Sequence, residues 1–237
     1  NLDNRALPGV KINVIMGRHA GFLTAAAALA RQFADDGPHL IYLPERPFTM
    51  EKFVADVQGV YKKLGRCVVA VSEGIADESG TAIASKFIKE VDSHGNAQLS
   101  GSGALGDVLA KEIKEKAQIS RVRADTFGYL QRSFAGVASA IDQKEARAAG
   151  QAAVKFACGR EYANGSTAIK RAPGKKYMTW IERTELKNVA KETRHMPDEW
   201  IAPAGNDVTK AFITYAAPIV GPLPKIGRLK AVKVAKK

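Results

Sequence analysis

Cysteine is nearly absent from this sequence, and so is any long hydrophobic run. Only Cys67 and Cys158 occur, far apart, with no Cys-x-x-Cys and no His/Cys grouping beside either. That spacing excludes a disulfide scaffold and a zinc module, and it suits two unpaired thiols in a reducing compartment. No apolar stretch approaches the roughly 20 residues that a membrane-spanning helix requires. The opening "NLDNRALPGV" lacks the charged-then-apolar order of a signal peptide. The expectation is a soluble, cytoplasmic protein without a membrane partner. Ser/Gly/Pro linkers and repeats at solenoid periods are missing as well. With 237 residues, 46% of them hydrophobic, the chain can bury a full core. Residues 1–221 read as one α/β region and residues 222–237 as a C-terminal tail.

Acid is missing from one segment in particular. The last sixteen residues, "PLPKIGRLKAVKVAKK", hold six Lys or Arg and no Asp or Glu, which is half of the formal net charge of +12. A basic tail can meet nucleic acid or a membrane surface, but its more frequent fate is a solvated terminus. No aromatic residue interleaves these lysines, so a stacking platform for single strands is lacking and no nucleic-acid partner is expected. The body without the tail is modestly basic, which suits a protein that handles phosphorylated metabolites.

What the sequence does contain is alternation. "KINVIM" (11–16) is a β-branched run that leads into "GFLTAAAALARQFA" (21–34), where Phe22, Ala26, Leu29, Ala30 and Phe33 recur at helical spacing. "HLIYLP" (39–44) is a second apolar run, and "TMEKFVADVQGVYKKLG" after it predicts a helix with Thr49 as N-cap and Gly65 as stop. "CVVAVSE" (67–73) is the third run. Apolar strands separated by helices predict a parallel sheet covered on both faces. Further on, 102–117 and 142–159 predict helices, the second closed by Gly159, and 120–132 predicts a strand followed by a loop. "STAIKR" and "KYMTWIER" predict strands; "TELKNVAKE" and "NDVTKAFITYAAP" predict short helices.

In a parallel α/β sheet, ligands bind in the crevice beyond the carboxyl ends of the strands. Four candidate strand ends deliver polar groups there: Met16-Gly17-Arg18, Pro44-Glu45-Arg46, Ser72-Glu73-Gly74 and Gly128-Tyr129-Leu130-Gln131-Arg132. Taken singly, Arg18 and Glu45 read as surface charges and Glu73 as a carboxylate bonded to backbone at a turn. His19 reads as a helix-start histidine rather than a proton shuttle, and Asp35, Asp36, Asp77 and Glu78 as solubility charges. Taken together, the set offers arginines to clamp a phosphate, carboxylates to accept from sugar hydroxyls, and glycines to admit close approach. That chemistry names a phosphorylated polyol as the ligand class.

The segments "VIMGRHAGFLTAAAALA", "IYLPERPF", "VVAVSEG" and "TFGYLQRS", in this order and at these intervals, resemble the C-terminal half of a phosphofructokinase. The motifs cover roughly residues 10–160, and the order of elements extends the likeness beyond them. The resemblance implies a three-layer phosphofructokinase-like domain and an acceptor site for fructose 6-phosphate. It places Met16, Gly17 and Arg18, then Glu45, then Tyr129, Leu130, Gln131 and Arg132 on that sugar phosphate. Arg123 stands where many ATP-dependent members have a substrate-phosphate arginine donated across a subunit interface. It also implies a homo-oligomer and a Mg²⁺ ion whose ligands lie outside this chain.

Departures from the family pattern carry equal weight. The family's Gly-Gly-Asp-x-Ser donor loop and its Thr-Ile-Asp-Asn-Asp segment, whose aspartate is the catalytic base, are not present here. The expectation is an acceptor half-site that belongs to a longer chain, needs a complementary subunit, or survives as a non-catalytic sugar-phosphate-binding module. Tyr129 stands where ATP-dependent bacterial members usually have His, so the resemblance favours pyrophosphate over ATP as phosphoryl donor.

Overall fold

The parallel sheet announced by the alternation is present in the computed structural model of the chain, which describes residues 2–87, 103–134, 136, 138–159, 164–174, 176–190 and 193–227. Its strands are β1 (Gly9–Ile15), β2 (Leu40–Tyr42), β3 (Arg66–Ser72) and β4 (Val122–Thr126), side by side in the order β2-β3-β1-β4. Every neighbouring pair is parallel. The helices are α1 (Leu2–Ala6), α2 (Phe22–Ala26), α3 (Met50–Leu64), α4 (Ala104–Lys116), α5 (Leu130–Ser133), α6 (Ala140–Cys158) and α7 (Lys210–Val220). A separate antiparallel hairpin joins β5 (Ser166–Arg171) to β6 (Thr179–Thr184). Most of the basic tail, residues 228–237, lies outside the described residues.

Side-chain alternation along the strands builds two cores. Val10, Ile12 and Val14 join Cys67, Val69 and Val71 on one face, where α3 contributes Phe53 and Val57 and α4 contributes Leu105, Leu109 and Ile113. On the other face Ile15, Ile41, Leu43 and Ala70 meet Ala25 and Ala28, and α7 brings Phe212 and Ala216. β3 is buried along its whole length, as a strand flanked on both edges and covered on both faces must be. The expected ends of α3 are confirmed: Thr49 Oγ1 accepts from the Lys52 N–H (3.4 Å), and Gly65 adopts the left-handed conformation at φ 68°.

Several expectations are corrected. Among the described residues the second face is not covered around Lys11 on β1 and along β4: Lys11 is in register with Arg123, Arg123 and Asp125 are exposed, and Lys11 pairs with Asp125. The helix expected over 21–34 stops at Ala26, continues as 3₁₀ turns over Ala27–Ala30, and gives way to an extended Arg31 at ψ 111°. Tertiary bonds override the alanine-rich propensity there. The Arg31 guanidinium donates to the Pro38 carbonyl (2.7 Å) and to both Asp207 oxygens (3.1 and 2.9 Å), while Asp36 Oδ2 accepts from the Gln32 and Phe33 N–H groups (3.0 Å each). Asp36 is therefore a buried structural acceptor rather than a solubility charge, and Phe33 is exposed. Finally, the loop expected at 128–132 contains the one-turn helix α5, and "TELKNVAKE" forms only a 3₁₀ turn at Leu186–Asn188, with 191–192 outside the described residues.

Candidate functional site

Because all four strands run in one direction, their carboxyl ends share one edge of the sheet. The registers Ile15↔Ser72, Tyr42↔Val71 and Val14↔Thr126 bring the ends level within about a residue. The segments 16–18, 44–46, 72–74 and 128–132 thus leave the same edge, as the sequence predicted.

The turn after β1 is held from behind by the end of β3. Gly17 has φ 153°, and its N–H donates to Glu73 Oε1 (3.3 Å) while its carbonyl accepts from the Ser72 hydroxyl. A β-carbon at Gly17 would lie 2.7 Å from the Ala20 carbonyl oxygen, so this turn requires glycine on steric as well as conformational grounds. Met16, Gly17 and Arg18 are half-buried, and His19 is exposed.

Glu45 is less free than a loop charge. Its Oε1 accepts from the Gly21 N–H (2.9 Å) and from the Met196 N–H (3.1 Å). Its Oε2 is buried and has no hydrogen-bond partner among the described groups. A buried carboxylate oxygen without a donor is unfavourable, and this atom keeps unused acceptor capacity. Gly21 sits close against this strand end, its hypothetical β-carbon only 2.8 Å from Glu45 Oε2 and from Leu43 Cδ2.

The fourth strand end is exposed. Tyr129 is 63% and Leu130 57% exposed, and Arg132, also exposed, holds its guanidinium 5.8 Å from the Tyr129 ring centroid. Gln131 lies within α5. Arg123 does not join the rim: it is on β4, on the open face beside Lys11. Arg121 precedes the strand and is also exposed.

The segment 193–208 was missed as part of the site. Met196 is buried and gives its amide to Glu45, Arg194 holds its guanidinium 5.9 Å from the Phe22 ring centroid, and Arg46 donates to Asp198 (2.8 Å). Asn206 accepts from the Ile41 N–H along the free edge of β2 (2.8 Å) and donates to Asp56 Oδ2 (2.8 Å). That carboxylate also accepts from Tyr42 Oη (2.8 Å) and Lys52 Nζ (2.6 Å). Burial, then the bond to Asp56, pushes the Tyr42 phenol far above its ordinary range. Burial works to raise Asp56, but its three donors outweigh it and hold the carboxyl below the usual value. No signal in the sequence marks an amide 151 positions from Glu45 as its partner.

Among the described residues, no group of three or more His, Cys, Asp or Glu side chains could hold a metal ion. Among them, too, no helix is long and apolar enough to cross a membrane.

Residues 5–157 match the family model described as Phosphofructokinase. The whole chain is 55% identical to 58% of the pyrophosphate--fructose 6-phosphate 1-phosphotransferase of Rhodospirillum rubrum. With the protein of the same name from Xanthomonas campestris it is 37% identical over 94% of this chain and 54% of the relative. A crystal structure of a pyrophosphate-dependent phosphofructokinase from Marinobacter aquaeolei superposes with TM-score 0.77, at 30% identity, over 100% of this chain and 57% of the other. The chain thus spans little more than half the length of the relatives it matches. The parallel sheet, its strand-end rim and these likenesses agree, and the chain belongs to the phosphofructokinase family.

Proposed function

We propose that the chain supplies the fructose 6-phosphate half-site of an enzyme that transfers a phosphoryl group from pyrophosphate to O1 of that sugar, giving fructose 1,6-bisphosphate in glycolysis. The observation that carries this reading is that the Met16–Arg18 turn, the segment with Glu45 and the segment with Tyr129–Arg132 all leave the same edge of the sheet. Glu45 Oε2, buried without a partner, accepts from a sugar hydroxyl. Arg132, exposed on α5, takes the 6-phosphate in a charge-assisted contact, with Tyr129, Leu130 and Gln131 beside it. Gly17 lets the backbone approach the sugar, Met16 gives an apolar wall, and Arg18 adds positive charge. Arg123, on the open face, belongs to a site shared between protomers of a homo-oligomer.

These residues bind and orient the acceptor, which is a large part of phosphoryl-transfer catalysis. The names of the relatives and the tyrosine at position 129 support pyrophosphate rather than ATP. A Mg²⁺ ion would neutralise developing charge in this reaction. The described residues offer no cluster of carboxylates that fits that ion.

The test is Arg132→Ala in the active enzyme. Removing a hydrogen-bonding charge from a phosphate costs about 1.5–3 kcal/mol, a rise of about 10- to 100-fold in the KM for fructose 6-phosphate. The KM for pyrophosphate should not move. An unchanged sugar-phosphate KM overturns the assignment, and turnover with ATP but none with pyrophosphate overturns the donor.

A further inference from the structure

We infer that Ser72, Glu73 and Gly74 are positioning residues of the substrate site, a mould at the end of β3 that fixes the Met16–Arg18 turn without touching the ligand. The inference rests on the acceptor-site reading given above. The parallel ladder itself does not need these side chains, because backbone groups complete it: the Glu73 N–H donates to the Ile15 carbonyl (2.9 Å). The side chains reach past the ladder to the turn beyond it. The Ser72 hydroxyl donates to the Gly17 carbonyl, and Glu73 Oε1 accepts from the Gly17 N–H (3.3 Å), so both backbone polar groups of one glycine are gripped. Ser72 is fully buried and Glu73 only 4% exposed. A carboxylate at such depth is costly unless hydrogen bonds satisfy it, which makes Glu73 a poor choice for a merely structural turn.

Gly74 supplies the second line of argument. Its φ is not in the left-handed region, so its own backbone conformation does not demand glycine. A β-carbon there would lie 1.9 Å from the Arg18 carbonyl oxygen and 2.5 Å from its carbon. Those atoms are backbone and cannot swing aside. Glycine at 74 is therefore imposed by Arg18, and Ser72, Glu73 and Gly74 fit against Gly17 and Arg18 of the other turn.

The test is a series of variants in the active enzyme, each assayed for KM of both substrates, kcat and melting temperature. Glu73→Gln retains an acceptor oxygen and should keep the fructose 6-phosphate KM within about threefold of wild type. Glu73→Leu removes the acceptor and should raise it about fivefold or more, as Ser72→Ala should. Gly74→Ala should raise it at least tenfold by displacing Arg18. In all four the pyrophosphate KM should stay constant. A folded Gly74→Ala enzyme with an unchanged fructose 6-phosphate KM overturns the inference, as does an equal rise in both KM values. Where Gly74→Ala fails to fold, Ser72→Ala decides, since it deletes one hydroxyl and leaves the packing in place. If Arg132→Ala raises the sugar-phosphate KM while Glu73→Leu and Gly74→Ala do not, the mould alone is refuted. If the wild-type enzyme does not turn over fructose 6-phosphate, the acceptor-site reading fails and the mould falls with it.

Discussion

Replacing Gly21 by alanine tests the energetic weight of the close approach between the β1 turn and the end of β2. Gly21 has φ −92° and ψ 10°, a backbone that alanine adopts, so no conformational strain opposes the change. By itself that would stabilise the protein by about 0.4–1 kcal/mol through the unfolded state. Against it stands the β-carbon, 2.8 Å from Leu43 Cδ2, 2.8 Å from Glu45 Oε2 and 3.0 Å from Leu43 Cβ. Leu43 is buried in the core and Glu45 is held by two backbone amides, so neither yields readily. Overpacking of this kind costs about 1–3 kcal/mol, leaving a net loss of up to about 2.5 kcal/mol. At roughly 2–4 °C per kcal/mol for a chain of this size, the melting temperature should fall by up to roughly 10 °C. Gly59 is the control: it lies inside α3 with nothing within 4 Å of its β-carbon position, and Gly59→Ala should stabilise. Thermal and urea unfolding of both variants measures the difference. A Gly21→Ala protein as stable as Gly59→Ala would refute the steric argument.

Two further outcomes follow from the far end of β2 and the break after α2. His39 accepts from the Val68 N–H at Nδ1 (2.8 Å) and donates from Nε2 to the Asp35 carbonyl (3.2 Å), so the ring is neutral, and burial, with Arg66 and Arg31 nearby, lowers its pKa. The unfolded chain takes up a proton near pH 6.5 and the folded one resists it; the contribution is therefore full above that pH and lost as pH falls below it. Urea midpoints from pH 7.5 to 5.5 should show this decline and His39→Gln should flatten it, so parallel profiles would contradict the assignment. Arg31→Lys keeps the charge but loses the fork that grips Asp207 and Pro38. The pair is partly exposed, so the expected loss is modest, about 1 kcal/mol in urea unfolding, and an unchanged midpoint would show that the fork does not hold the break.

The alternation of apolar strands and capped helices was enough to read the sheet, because burial on β3 and caps such as Thr49 and Gly65 are local properties of the chain. The rim was legible for the same reason: parallel strands put consecutive ends on one edge whatever their side chains. The failures are long-range. Nothing near residue 31 reveals that Asp207 will straighten the chain there, and nothing near Glu45 reveals that Met196 will occupy one of its oxygens. Lys11 and Arg123 could have warned that β1 and β4 expose one face, since each interrupts its strand at the same parity. The expected role of Glu73, a carboxylate bonded to backbone at a turn, is borne out, but that its partner is Gly17 required the register of β1 against β3.

The glycines of the rim divide the thermodynamics of recognition into two regimes. At Gly17 the rim is main chain clasped by buried side chains, and buried Gly21 and Gly74 pack tightly behind it. Its shape is set when the protein folds, so a ligand meeting it loses little conformational entropy. Tyr129, Leu130 and Arg132 are different, being exposed side chains on a single helical turn. Freezing each costs about 0.5–1.5 kcal/mol. On the proposed acceptor-site reading, one end of a bound sugar phosphate would meet a finished surface and the other side chains that must be immobilised around it. Chemical changes at the first end will be felt as fit, in enthalpy, and changes at the second as ordering, in entropy.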